Sequence, residues 1–130
     1  MVSHEELVAM AREAQKNAYA PYSGFPVGAA ILTSDGTVFT GVNVENASYG
    51  LSVCAERNAV ARAVDAGFRD FVAIAIVTDS EDPTMPCGVC RQVLWEFSHE
   101  LEVIVEGRSG RRVETTIREL FPRPFTSFAM

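Results

Sequence analysis

The first stretch of the chain carries apolar residues at the spacing of one face of a helix. Ser3 and Glu6 form the sequence pattern of a capping box, which marks the start of a helix. Pro21 cannot continue a helix, because its ring removes a backbone donor and clashes with the preceding turn. We therefore expect the helix to end near Tyr19, with a core face formed by Leu7, Val8, Ala11, Ala14 and Ala18.

Three apolar stretches that follow predict β-strands. Residues 27–33 and 38–43 flank the turn Ser34-Asp35-Gly36-Thr37, and Asp-Gly between apolar stretches is a strong hairpin signal. Residues 71–77 are apolar without alternation, which is typical of a strand covered on both faces.

The remaining pattern predicts helices around these strands. The alanine-rich residues 52–66 are expected to form a helix ended by Gly67. Pro86 is expected to open another helix, with Val89, Val93, Leu94 and Phe97 on its apolar face. Two late strands at 102–106 and 111–115 and a short helix at 117–121 complete the chain. This order predicts an α/β protein with a sheet of about five strands and helices on both faces.

Composition and charge narrow the class of partner. The chain has 130 residues, the usual size of one domain, and a net charge of −6. Nucleic-acid binders present a basic face, whereas the basic cluster here, Arg108, Arg111 and Arg112, is interpreted as a solvated hairpin tip. Neither a membrane-spanning run nor a signal sequence is evident. We expect a cytoplasmic protein that acts on a neutral small molecule and binds neither nucleic acid nor membrane.

The three cysteines, Cys54, Cys87 and Cys90, are the first candidates for chemistry. Their odd number disfavours a disulfide framework, and a cytoplasmic chain keeps its thiols reduced. Metal binding, thiol redox chemistry and simple burial remain as explanations. Cys87 and Cys90 lie three residues apart, on one face of a helical turn. Cys54 can join them only if two predicted helix starts meet in space.

The residues around the cysteines suit an open zinc site. Helix N-termini stabilise thiolates. Two arginines can also compensate the negative charge of three thiolates: Arg57, shortly after Cys54, and Arg91, directly after Cys90. Three protein ligands leave the fourth tetrahedral position of zinc open for a water, as in catalytic zinc sites. Glu56, two residues after Cys54, can then move protons without binding the metal.

Plainer explanations exist for each of these residues. A Cys-x-x-Cys pair is common and is often packing or a thioredoxin-like redox pair, but neither role explains Cys54 and Glu56. A closed structural zinc site needs a fourth ligand, and neither His4 nor His99 has ligand spacing.

Cys54-Ala55-Glu56 followed by Pro86-Cys87-Gly88-Val89-Cys90 resembles the zinc signature of the cytidine deaminase family. Cysteine as the first ligand is similar to the three-cysteine branch, which acts on free nucleosides. Further similarity lies in residues 22–30, 41–47 and 120–125, although Phe121 and Val89 depart from the family's usual leucine and alanine.

The resemblance implies a fold, a cofactor and a reaction. The fold would be a three-layer α/β/α sandwich with a mixed sheet, as a single domain over residues 1–130. The enzyme would be a homotetramer with one Zn²⁺ per subunit and active sites shared between subunits. The reaction would be hydrolysis of cytidine and 2′-deoxycytidine to the uridine counterparts and ammonia, as in pyrimidine salvage. Zinc-activated water would attack C4, while Glu56 carries the protons.

The resemblance also assigns substrate contacts. Asn43 and Glu45 would hydrogen-bond the ribose, and they stand at alternate positions that point to one face. A carboxylate there would repel a 3′-phosphate, which disfavours nucleic acid. Phe25 would pack against the pyrimidine, and Ala55 would offer backbone groups to the base. Tyr49 and Phe125 would reach the site of a neighbouring subunit. Otherwise, Asn43 and Glu45 mark a solvated strand end, and Phe25 is an ordinary core aromatic.

Two other functions share much of this pattern. An aminopyrimidine deaminase of the blasticidin S type has the same cysteine ligands and glutamate, although residues 43–46 favour the plain nucleoside. A zinc-stabilised interaction module without catalysis is the second alternative.

Overall fold

The computed structural model describes residues 1–126, which form five strands and four α-helices. Within these residues, no helix has the length and apolar character needed to cross a bilayer. In chain order the elements are α1 His4–Gln15, β1 Gly28–Thr33, β2 Val38–Val42, a short 3₁₀ helix Tyr49–Leu51, α2 Ala55–Asp65, β3 Phe71–Val77, α3 Gly88–Phe97, β4 Glu102–Glu106, β5 Arg112–Thr116 and α4 Ile117–Leu120.

The five strands form one mixed sheet in the order β2-β1-β3-β4-β5. The pair β3–β4 is parallel, and the other three neighbouring pairs are antiparallel. The parallel pair is connected through α3, since parallel neighbours need a crossover rather than a tight turn. The predicted five-stranded sheet and the mixed pairing are therefore confirmed.

Helices cover the sheet on both faces, which confirms the three-layer α/β/α arrangement. On one face, Leu7, Val8 and Ala11 of α1 pack against Ala30, Leu32 and other small apolar residues of the central strands. On the opposite face, α2 and α3 bury a second cluster that includes Ala59, Ile74, Leu94 and Val103. The central strand β3 is buried on both faces from Ala73 onward, while Val72 near its start is exposed.

Helix α1 begins as predicted and ends earlier than predicted. The capping box between Ser3 and Glu6 is present in both directions. The helix ends at Gln15 rather than near Tyr19, because the backbone of Tyr19 pairs in extended form with residues 43–45. The core face also shifts: Gln15 is buried, whereas Ala14 is partly exposed.

Helices α2 and α3 start later than the sequence suggested. Cys54 and Cys87 are their N-cap residues, with extended backbone, rather than residues of the first helical turn. Pro86 therefore lies outside the helix that it was expected to open. The consequence is that both cysteines stand at the positive ends of helices, where thiolates are stabilised.

Two glycines let the helices approach the sheet closely. A Cβ atom on Gly28 would lie 2.1 Å from the carbonyl oxygen of Ala11 in α1. On the opposite face, a Cβ atom on Gly41 would lie 2.4 Å from the amide nitrogen of Ala59 and 2.5 Å from the carbonyl oxygen of Ala55 in α2. Since real Cβ atoms do not tolerate such distances, these two positions fix how closely α1 and α2 can pack.

Candidate active site

The three cysteine sulfurs converge where the N-termini of α2 and α3 meet. All three sulfur atoms lie within 4.8 Å of one another, and the sulfurs of Cys54 and Cys87 are 3.9 Å apart. Sulfurs bound to one tetrahedral zinc at about 2.3 Å would lie about 3.8 Å apart. The cluster therefore has the size that one zinc ion requires.

The charge of the cluster also calls for a cation. The pKa of Cys54 is lowered to about 5, because the thiols of Cys90 and Cys87 and the guanidinium of Arg57 donate to its sulfur. The pKa of Cys90 is raised, first by its hydrogen bond to Cys54 and then by burial. Without a metal ion, Cys54 is therefore the favoured thiolate, and Cys90 keeps its proton. Three thiolates at this distance need a compensating cation, so the donor set fits zinc.

Arg57 is the arginine that reaches the sulfurs. Its Nη2 atom lies 3.7 Å from the sulfur of Cys54 and 3.4 Å from the carbonyl oxygen of Ser52. Its Nε atom is buried and has no hydrogen-bond partner among residues 1–126. Arg91 was expected to share this role, but it donates instead to the carbonyl oxygens of Pro86 and Leu120, which ties α3 to α4.

Glu56 lies in the first turn of α2 and is buried, with 5% of its surface exposed. Burial raises the pKa of its carboxyl group. A hydrogen bond from its own backbone opposes this rise in part, and the nearby charge of Cys54 adds to it. A carboxyl group with a raised pKa exchanges protons more readily near neutral pH than an ordinary glutamate.

A cavity of about 310 Å³ opens beside the cluster and brings together most of the predicted residues. The predicted residues that line it are Phe25, Asn43, Glu45, Cys54, Ala55, Glu56 and Cys87. Cys90 lies behind this surface and is fully buried. The carboxyl group and two of the three thiols therefore face the same space.

Asn43 and Glu45 hold the loop that carries Phe25. The Asn43 side chain accepts a hydrogen bond from the backbone of Val27 at 2.9 Å and donates one to the carbonyl oxygen of Phe25 at 2.9 Å. The Glu45 carboxylate accepts from the backbone amides of Tyr22 and Ser23, both at 3.0 Å, and from the Ser23 hydroxyl. These donors, led by the Ser23 hydroxyl, lower the pKa of Glu45. The two residues therefore build one wall of the cavity.

Tyr49 and Phe125 lie outside this cavity within the chain. Tyr49 is 77% exposed and lines an adjoining groove of about 300 Å³ together with Tyr22, Ser23, Glu45 and Ser52. The backbone of Phe125 exchanges two hydrogen bonds with the Gln92 side chain, at 2.8 and 3.0 Å, and Phe125 is 56% exposed.

The sequence patterns missed the part of the cavity lining that comes from the end of β3 and the loop after it. Ile76 and Thr78, at the end of β3, and Thr84 and Met85, in the loop before Cys87, also line the cavity. The sequence did hold one clue to these residues. The loop that connects the buried strand β3 to the metal ligand Cys87 must run close to the metal site. The predicted basic hairpin tip also contacts this loop, since Arg108 and Arg111 form exposed ion pairs with Glu81 and Asp82.

Comparison with known proteins places this geometry in a family. A family model described as the cytidine and deoxycytidylate deaminase zinc-binding region matches residues 1–106, which include every ligand candidate and Glu56. This chain belongs to the cytidine deaminase family. The cytidine deaminase of Sporosarcina psychrophila is 46% identical over 94% of this chain and 90% of that relative. The crystal structure of cytidine deaminase from Burkholderia pseudomallei superposes with a TM-score of 0.92 at 48% identity, covering 95% of this chain and 99% of that chain.

A Blasticidin-S deaminase from Bacillus cereus is also similar, at 36% identity over 77% of this chain and 76% of that relative. The two cytidine deaminases named above match at higher identity and over more of the chain. As a cytidine deaminase, the chain is a hydrolase with zinc as its cofactor. Within residues 1–126, the three-cysteine cluster is the one group of cysteine, histidine and carboxylate side chains with the geometry to hold a metal ion.

Proposed function

We propose that the cavity beside the cysteines binds cytidine or 2′-deoxycytidine, and that the residues lining it carry out hydrolytic deamination to the uridine counterpart and ammonia. One observation carries this assignment of the site: Glu56 and the thiols of Cys54 and Cys87 face the same cavity as Asn43 and Glu45. A metal ligand set, a proton carrier and polar groups suited to a sugar thus surround one space of nucleoside size.

Zinc would be held by Cys54, Cys87 and Cys90, and when bound it supplies a Lewis acid that lowers the pKa of a water in its open coordination position. Arg57 offsets the negative charge of the thiolates from its place beside Cys54. The positive N-termini of α2 and α3, capped by Cys54 and Cys87, also offset this negative charge.

Glu56 moves the protons of the reaction. It takes a proton from the attacking water and delivers it to N3 of the ring, so that the ring nitrogen accepts the electron pair displaced from C4. A second proton, from the hydroxyl group then on C4, follows the same route to the amino nitrogen as the carbon–nitrogen bond breaks. Ammonia leaves, and the oxygen of water has replaced the amino group. The raised pKa of buried Glu56 suits a group that must both accept and release protons.

The remaining lining residues position the nucleoside. Phe25 offers a flat apolar surface for the pyrimidine, and the backbone of Ala55, at the start of α2, can donate to the base. Glu45 accepts three hydrogen bonds within the chain, and a carboxylate has about four lone-pair sites. One site remains for a ribose hydroxyl. Among residues 1–126, the second N–H of the Asn43 amide has no partner and is likewise available.

Glu45 also favours a free nucleoside over nucleic acid. Its pKa is lowered, so the group is charged at neutral pH and repels a phosphate attached to the ribose. The net charge of −6 acts in the same sense.

We further propose that the whole chain forms one domain, assembles as a homotetramer and works in the reducing cytoplasm. Exposed apolar side chains support assembly. Tyr22 and Tyr49 line the groove that adjoins the cavity, and Val44 and Leu51 are exposed as well. Tyr49 and Phe125 would then complete the cavity of a neighbouring subunit. Three free thiols that must stay reduced to bind metal support the location.

The substitution Glu56→Gln tests the proton carrier. The amide keeps the shape of the side chain but cannot take up a proton, so turnover of cytidine should fall by at least about a thousandfold, near the usual range for loss of a general base. Zinc content and uridine binding should be unchanged. The measurement is the loss of cytidine absorbance, with metal analysis and calorimetry alongside.

The exposed glutamate Glu96, on α3, provides the matched control Glu96→Gln, which should retain the wild-type rate. Wild-type turnover by Glu56→Gln would refute the proposed role. Assays with deoxycytidine, adenosine and blasticidin S alongside cytidine separate the alternatives. Faster deamination of blasticidin S would favour that type of deaminase, and bound zinc without turnover of any of them would favour an interaction module.

A further inference from the structure

The last turn of α1 carries a buried glutamine that none of the site assignments uses. Gln15 is polar, yet only 8% of it is exposed, because it lies on the helix face that packs against the sheet. Its side-chain nitrogen donates to the carbonyl oxygen of Pro26 at 3.0 Å and to the Oδ1 atom of Asp79 at 3.1 Å. A single amide group therefore connects two segments that are distant in sequence.

These two segments both contribute to the cavity lining, and they adjoin each other at one end of the sheet. Pro26 stands between Phe25 and Val27, which both line the cavity. Asp79 directly follows Thr78, which also lines the cavity and begins the loop that continues to Met85. Gly28 of β1 pairs with Val77 of β3, so the two segments leave neighbouring strands side by side. Asn43 and Gln15 both hold the Phe25 segment, through the carbonyl oxygens of Phe25 and Pro26.

Arg12, one turn earlier on α1, fixes the orientation of the glutamine. Its Nη1 atom donates to the Gln15 side-chain oxygen at 3.2 Å and to the carbonyl oxygen of Thr78 at 3.0 Å. Its Nη2 atom donates to Glu106 at 3.2 Å and to the carbonyl oxygen of Gly107 at 3.1 Å. Because the arginine has only donors, the amide oxygen must face it, and the amide nitrogen must face Pro26 and Asp79.

The position of α1 itself is fixed by close packing. A Cβ atom on Gly28 would lie 2.1 Å from the Ala11 carbonyl oxygen and 2.9 Å from the backbone nitrogen of Gln15. The end of the helix therefore rests directly on the start of β1. Gln15 extends from a rigid base and not from a mobile loop.

We propose that Gln15 is a positioning residue for the deamination reaction, which holds the Phe25 segment and the Thr78 segment in place relative to each other and thereby sets the affinity for the pyrimidine. It does not line the cavity and does not touch the zinc ligands or Glu56. Loss of its two hydrogen bonds should let these two segments shift and weaken substrate binding, with little effect on the chemical step. This inference rests on the proposed placement of the nucleoside in the cavity.

Two substitutions at position 15 separate the hydrogen bonds from the packing. Gln15→Met keeps an unbranched side chain of similar length and removes both donors. Gln15→Glu still accepts from Arg12, but it cannot donate to Pro26 and it places a second carboxylate beside Asp79. For both variants we expect KM for cytidine to rise about tenfold, from the cost of unmade buried hydrogen bonds, with kcat within about threefold of wild type and full zinc content.

Rescue distinguishes positioning from general damage. Adding Asp79→Asn to Gln15→Glu replaces the carboxylate beside position 15 by an amide that can donate to it, so KM should return part of the way to the wild-type value. Lys16→Gln, at the neighbouring exposed position just after α1 where the lysine forms an ion pair with Glu13, is the matched control and should leave both KM and kcat unchanged.

The outcomes discriminate between the inference and its basis. A fall in Tm with unchanged KM for Gln15→Met, measured well below Tm, would show a merely structural role and overturn the inference. Should that variant not fold, Asp79→Ala removes half of the connection from a side chain that is 54% exposed, and an unchanged KM would again refute it. Phe25→Ala is the reference for the cavity: if it also leaves KM unchanged, the placement of the nucleoside is wrong, whereas a raised KM there confines the failure to Gln15.

Discussion

At the scale of single residues, Arg57 is one of the groups that stabilise the thiolate of Cys54. It is the guanidinium beside Cys54, and its pKa is raised above its already high value by that contact. The neighbouring arginines on the same helices have other tasks: Arg62 donates to Thr40, and Arg91 holds α4. Of these three arginines, only Arg57 therefore acts directly on the metal site.

Replacing Arg57 by glutamine should weaken zinc binding. The neutral amide removes the positive charge beside Cys54, and the loss of such an outer contact typically lowers metal affinity by about 10- to 100-fold. Competition with a chelator of known affinity measures the change. Arg62→Gln, one turn and a half further along α2, is the control and should bind zinc like the wild type. Equal affinity in the two variants would mean that the helix N-termini alone balance the thiolates.

At the scale of elements, the position of α2 decides where Cys54 and Glu56 lie. The helix rests on Gly41 of β2, where even a methyl group would meet its backbone. Gly88, at the start of α3, has open space in the place of a Cβ atom. A side chain at Gly41 would therefore disturb the packing of α2, whereas a side chain at Gly88 would not clash.

Gly41→Ala should lower stability, because the added carbon must displace α2 from the sheet. Overpacking of this kind costs about 1–3 kcal/mol, and displacement of Cys54 should weaken zinc binding as well. Thermal unfolding with and without added zinc measures both effects. Gly88→Ala adds the same methyl group without a clash and should unfold at or slightly above the wild-type temperature. An unaltered Tm for Gly41→Ala would contradict the close packing.

The elements that the sequence predicted best are those fixed by local pattern. The strands β3 and β4 have the predicted bounds, since each is a short apolar run in the centre of the sheet. The end of α1 was wrong because Tyr19 pairs with a segment more than twenty residues away. Gln15 was missed for the same reason, as its partners Pro26 and Asp79 are apparent only in the fold. The ligand set itself was visible, but the meeting of the two helix starts required the structure.

At the scale of the whole molecule, the groove that adjoins the cavity carries exposed aromatic side chains. Tyr22 and Tyr49 line this groove, and their rings contact each other edge to face at 6.4 Å, while the apolar Leu51 is also exposed. Exposed aromatic and aliphatic side chains grouped on a surface are typical of an interface. This surface supports the proposed tetramer, in which the neighbour closes the site.

Mixed assemblies test that proposal. Tyr49→Ala should raise KM for cytidine if Tyr49 contributes to a neighbour's site, while a subunit carrying Glu56→Gln should be inactive. When the two variants are co-expressed, a site with intact Glu56 receives an intact Tyr49 from the other subunit. Activity at low cytidine should therefore exceed the sum of the separate variants. Native mass spectrometry should show four subunits. A monomer, or strictly additive activity, would exclude shared sites.

The parallel pairing of β3 with β4 has a consequence for the order of events during folding. The crossover through α3 must close before β4 can dock, and contacts between distant segments form slowly. Cys54 comes from the part of the chain before β3, whereas Cys87 and Cys90 belong to the crossover itself. The metal thus finds its complete ligand set only in a chain whose crossover has closed. Zinc should therefore bind stoichiometrically only late in folding. In a refolding experiment, the rate of zinc uptake would report how fast the crossover through α3 closes.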